Sequence, residues 1–82
     1  MELVTIFFEN AFVEVAYLLR KEENKIFLDI TVDDPAIAAY TGKQFSICLH
    51  SNMLEIPVHG SVDRAIKFQL VAKIFRQENI DA

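Results

Sequence analysis

The chain has 82 residues, 52% of them apolar and 24% charged, with two Gly, two Pro, one Cys and a net charge of −4. This length points to a single domain spanning 1–82, and the apolar content is too high for a disordered chain. The acidic balance argues against nucleic acid as a general partner, which would need a cationic face for phosphates; the lone Cys48 cannot close an internal disulfide.

The N-terminal stretch Met1–Glu14 is apolar but carries Glu2 and Glu9. It lacks the basic leader and small-residue cleavage site of a secretory signal. No apolar run approaches the ~20 residues needed to span a bilayer. The expectation is a soluble, cytoplasmic protein with no membrane partner.

The first 33 residues read as a three-strand meander. With a two-residue turn at Glu9–Asn10, Phe8 faces Ala11, Ile6 faces Val13 and Val4 faces Val15. With a second turn at Glu23–Asn24, Leu19 faces Leu28, Tyr17 faces Ile30 and Val15 faces Val32. Both turns put Val13, Val15, Tyr17 and Leu19 on one face of the middle strand, and the period of two makes that agreement a constraint on register. Neither turn has Gly, but Asn tolerates positive φ.

Asp34-Pro35 then starts a short helix, since Pro costs nothing at the first helical position. Ala36–Tyr40 continue it and Gly42 ends it. A hairpin follows, turning at Ser51–Asn52. Leu49 then faces Leu54, Ile47 faces Ile56 and Phe45 faces Val58. Pro57 cannot donate to a ladder, which places the strand 53–59 at a sheet edge.

The segment 61–78 carries two patterns. Ser61 as N-cap, Asp63 in the first turn, and Lys73 and Arg76 near the end favour a helix. Ile66, Phe68, Leu70, Ala72 and Ile74 alternate as in a strand. Eighteen residues suit a helix better. The expected fold is therefore α+β: an antiparallel sheet of about five strands with a C-terminal helix packed on it. The alternative is a small all-β barrel with the C-terminal segment as a strand.

Register also assigns a second sheet face: Leu3, Thr5, Phe7, Phe12, Glu14, Ala16, Leu18, Arg20, Phe27, Asp29 and Thr31. Phe7 and Phe12 are cross-strand neighbours there, and Leu18 lies diagonal to Phe27. Large apolar patches of this kind mark interfaces. Phe7, Phe12, Leu18 and Phe27 are the candidate interface residues.

Candidate chemistry is sparse. Cys48, His50 and Glu55 share a strand face, but no glycine turn or helix N-terminus is there to lower the thiol pKa or bind an oxyanion. His50 and His59 lie at opposite ends of their hairpin, too far apart to share a metal. Asp33 and Asp34 are too few for a calcium site, and Asp34 reads as a helix cap. No phosphate-cradling glycine loop or zinc spacing is present. No cofactor is expected.

Charge is uneven along the chain. Residues 1–34 hold eight acids and three bases, whereas Arg64, Lys67, Lys73 and Arg76 cluster near the C-terminus. Those four are candidates for complementary charge or phosphate contact. The functional expectation is a small acidic, non-enzymatic interaction or regulatory module. Its partner is a protein, most simply a second copy forming a homodimer or larger assembly. Two alternatives are a small-molecule site between sheet and helix, with Tyr17, Tyr40 or His59 as polar handles, and nucleic-acid contact through 64–76.

Overall fold

A computed structural model describes residues 1–51 and 53–80. Five strands, β1 (Glu2–Phe8), β2 (Ala11–Glu22), β3 (Lys25–Thr31), β4 (Gln44–His50) and β5 (Met53–Glu55), form one antiparallel sheet in the order β1-β2-β3-β4-β5. A short helix, α1 (Pro35–Thr41), joins β3 to β4, and α2 (Ser61–Glu78) follows the sheet. The sheet curls into a half-barrel around α2, which confirms the α+β expectation and sets aside the all-β alternative.

The meander has the register that the side-chain pattern implies. Phe8 pairs with Ala11, Ile6 with Val13 and Val4 with Val15. Leu19 pairs with Leu28 and Tyr17 with Ile30. At the first turn both central residues have positive φ, 48° at Glu9 and 63° at Asn10, the backbone that matches strand twist in a tight hairpin. At the second turn it is Glu23, at φ 49°, that takes the left-handed conformation, and Asn24 does not.

Asp34 caps α1 as its position implies, its side chain accepting from Ala36 N and Ile37 N at 3.0 and 3.1 Å. Gly42, at φ 86°, ends that helix and donates its N–H to Ala38 O. Val32 N then bonds Lys43 O at 2.7 Å and closes the connection between β3 and β4.

Two local expectations are corrected. The strand 53–59 stops at Glu55, and the Ile47–Ile56 and Phe45–Val58 pairs do not form. Pro57 has no N–H to offer, so the ladder ends just before it. Leu49 does face Leu54; the turn expected at Ser51–Asn52 involves Asn52, which lies outside the described residues. At α2, Ser61 is not the N-cap. The chain enters through Gly60 at φ 107°, a conformation suited to glycine, and no side chain caps from that position. Asp63 reaches back instead and accepts from His59 N at 2.6 Å.

The core lies in the concave side of the sheet. Val4, Ile6, Val15, Tyr17, Leu28, Ile30, Ile47 and Leu49 contribute from the strands, with Val32 and Ile37 from the connection between β3 and β4. From α2 come Ile66, Leu70, Val71, Ile74 and Phe75. These recur at helical spacing, whereas Phe68 and Ala72 of the alternating set are exposed. The stripe is therefore a helix face, and the alternation carries no structural weight. α2 ends at Asn79, φ 57°, with Ile80 N bonded to Phe75 O and Asn79 N to Arg76 O. This is the left-handed cap in which the residue beyond it, here Ile80, packs back on the core.

Candidate functional site

The convex face of the sheet is built by the outward residues of each strand. Phe7 and Phe12 stand opposite one another, with ring centroids 5.1 Å apart and an edge-to-face angle of 76°. Phe12 is 74% exposed and Phe7 43%. Leu3 and Leu18 are also exposed, flanking Ala16, which pairs with Leu3. Between these two apolar clusters runs the pair Thr5–Glu14. Phe12 and Leu18 are six strand residues apart, about 20 Å. The face thus carries two apolar clusters divided by a polar row, and the candidates do not form one continuous patch.

Phe27 differs from the other three. It is half-buried, and the Arg20 guanidinium lies 4.6 Å from its ring centroid. Arg20 is held there by Asp29, with Nε 2.5 Å from Oδ2, and by Glu22 at 2.6 Å. Ser46 donates to Asp29 at 2.7 Å. The donated bond from Arg20, then that from Ser46 and the adjacent positive charge, hold the Asp29 carboxyl below its ordinary range against a desolvation cost. Arg20 is correspondingly raised, first by its bond to Asp29. A cation on the ring and a carboxylate beside it turn this corner of the face polar.

The four basic residues scatter around α2. Lys67 is only 1% exposed, so it cannot reach a phosphate or a partner's carboxylate, and this assignment is corrected. It shares the buried stripe with Asp63, one turn earlier and also 1% exposed. Lys67 Nζ lies 3.0 Å from Asp63 Oδ1 and 3.1 Å from Oδ2, donates to Pro57 O at 2.5 Å, and sits 4.6 Å above the Phe45 ring. The ammonium therefore locks the segment after β5 onto the helix. The signal for this was an acid–base pair at i,i+4 inside an apolar stripe, a spacing that brings the two side chains together. Lys73 lies about 180° and Arg76 about 120° round the helix from Arg64, so no continuous basic stripe forms.

Arg64 is exposed, and its guanidinium is 5.3 Å from the Phe68 ring centroid. It makes no ion pair among the described residues. Together with Leu54, Ile56 and Val58 these two residues line an open groove of about 350 Å³ between the segment after β5 and α2. Phe68 is 45% exposed. Sequence reasoning missed this groove because it paired Val58 with Phe45 in a strand that does not extend so far.

The proposed polar handles do not meet in a cleft between sheet and helix. Tyr17 is fully buried; its hydroxyl donates to Glu78 Oε2 at 2.5 Å and accepts from Gln77 Nε2 at 2.8 Å. Tyr40 is exposed and stands edge-on to Phe8, with centroids 6.0 Å apart. His59 is exposed at the entry to α2. Cys48 is half-buried and pairs with Glu55 on the convex face, while His50 pairs with Met53 at the end of the hairpin. Among the described residues, no three His, Cys, Asp or Glu side chains converge as metal ligands, and no helix is long and apolar enough to cross a membrane.

No family model matches the chain, and neither a curated protein nor a solved structure matches it.

Proposed function

We propose that this chain is a small acidic, non-enzymatic interaction module that associates with a second copy of itself through the convex face of its sheet. The observation that carries the reading is the Phe7–Phe12 pair, two rings packed edge-to-face at the solvent-facing end of a hairpin. Paired aromatics displayed outward gain by being desolvated against a partner, and such residues dominate binding energy where they are central to an interface. Leu3 and Leu18 form a second apolar cluster on the same face, across the Thr5–Glu14 row, and Arg64, Lys73 and Arg76 supply charge opposite to the acidic N-terminal half. The buried polar groups Tyr17, Asp63 and Lys67 are all engaged in holding the fold.

Light scattering across a dilution series tests the reading. The wild type should run above monomer mass and dissociate on dilution. Phe12→Asp should shift that dissociation to at least about fivefold higher concentration, the loss of a central aromatic anchor being worth more than ~1 kcal/mol. Its melting temperature should change little, because the side chain is already in water. A wild type that is monomeric at every concentration overturns the reading.

A further inference from the structure

We infer that the exposed Phe7–Phe12 tip of one copy seats in the Leu54–Phe68 groove of another, with Glu9 at the tip meeting Arg64 at the groove's lip. The inference rests on the self-association proposed above and specifies which surfaces meet.

Two features of the chain complement one another. The tip is apolar and acidic: Phe12 is the more exposed ring of an edge-to-face pair, and Glu9 is exposed in the turn between the two strands. The groove is apolar and basic: Leu54, Ile56, Val58 and Phe68 line about 350 Å³, large enough for an aromatic side chain, beside a guanidinium that has no carboxylate partner among the described residues. A like-with-like contact of the convex faces is less favourable. It would oppose Glu14, which sits between the two apolar clusters, to the same acidic face of the partner. Pairing the tip with the groove buries the rings against apolar side chains and brings opposite charges together.

Complementation between two disabled variants tests this. Phe12→Asp disables the tip, and Phe68→Gln disables the groove; Phe12 is 74% exposed and Phe68 45%, so both variants should stay folded, Phe68→Gln with a modest drop in melting temperature. Each alone should be monomeric at concentrations where the wild type is associated. Mixed in equal amounts they should form a pair, about twice 9.4 kDa, through the one intact tip and the one intact groove. Arg64→Glu and Glu9→Arg should each weaken association about tenfold, and the double variant should recover most of that loss.

Three results overturn the inference. If Phe12→Asp breaks association while Phe68→Gln and Arg64→Glu leave it intact, the self-association stands and the groove assignment falls. If the wild type is monomeric throughout, the underlying reading fails and the inference fails with it. If the groove residues of a monomeric wild type respond in NMR spectra to added octanoate, the groove belongs to small apolar carboxylates.

Discussion

Tyr17 directs its hydroxyl proton to Glu78 over 2.5 Å while its ring is sealed in the core. Burial first, then the bond to Glu78 and the negative charges of Glu78 and Glu2, push the phenol from 10 up to about 12, with the bond donated by Gln77 pulling slightly the other way. The fold therefore favours the neutral phenol. Its contribution is complete below pH 10, where the unfolded chain also holds the proton, and is lost as pH rises from 10 to about 12. The wild type should lose about 3 kcal/mol across that range from this group. Tyr17→Phe, less stable at neutral pH by about 1 kcal/mol for the lost hydrogen bond, should lose correspondingly less on alkalinisation. Urea titrations at pH 8 and pH 11 check both slopes. The Asp63–Lys67 pair gives a second residue-scale prediction. Lys67→Met would leave a buried carboxylate with only the His59 N–H as partner, a cost of about 3–5 kcal/mol. Adding Asp63→Asn to that variant removes the orphaned charge yet keeps an acceptor for His59. The double variant should be the more stable of the two by denaturant midpoint, and the reverse order would mean that the ammonium does not compensate the carboxylate.

At the level of elements, α2 runs antiparallel to β1 and serves as its missing neighbour. Gln69 grips Phe7 with both amide atoms, accepting from Phe7 N at 2.7 Å and donating to Phe7 O at 3.1 Å. Gln77 donates to Leu3 O at 3.0 Å. The spacings agree: eight helical residues rise about 12 Å and four strand residues about 13.5 Å, so glutamines at i and i+8 meet strand positions four apart. Covering a free edge in this way guards against edge-to-edge pairing. Gln69→Ala should lower stability by about 1 kcal/mol and speed amide exchange at Phe7 before that at Val15 in the sheet interior; equal protection in wild type and variant would refute the edge role. How readable each element was in the chain follows from this arrangement. The two meander registers could be read because a period of two leaves only one way to bury Val4, Ile6, Val15, Tyr17, Leu28 and Ile30 together. The 61–78 segment was ambiguous because both periods pass through Ile66, Leu70 and Ile74, and only the buried Val71 and Phe75 separate them. The glutamine clamps could not be read at all, since nothing local in Gln69 or Gln77 states which edge lies beside the helix. The groove was hidden for a related reason: Pro57 signalled an edge strand, but not that the strand would end two residues before it.

For the molecule as a whole, the separation of charge sets the sign of an experiment. Eight acids and three bases lie within residues 1–34, which form the β1–β3 meander and lead into α1, while α2 carries Arg64, Lys73 and Arg76 on its exposed or half-exposed sides. If like meets like, association brings acidic meanders together, and salt should strengthen it by screening their repulsion. If the tip of one copy meets the groove of another, association brings the acidic meander to the basic helix, and salt should weaken it. The apolar contribution from Phe7, Phe12 and Phe68 should survive in either case, since burial of apolar surface does not depend on screening. The tip-in-groove contact therefore predicts a modest loss: an exposed ion pair is worth about 0.2–1 kcal/mol, so dissociation constants should rise by a factor of up to about five between low salt and several hundred millimolar sodium chloride. Arg64→Glu should reverse the trend, because the groove would then oppose an acidic tip with an acid of its own. Sedimentation at three ionic strengths on the wild type and this variant gives both signs. Association of the wild type that tightens with salt would rule out the tip-in-groove arrangement while leaving self-association through the convex face in place.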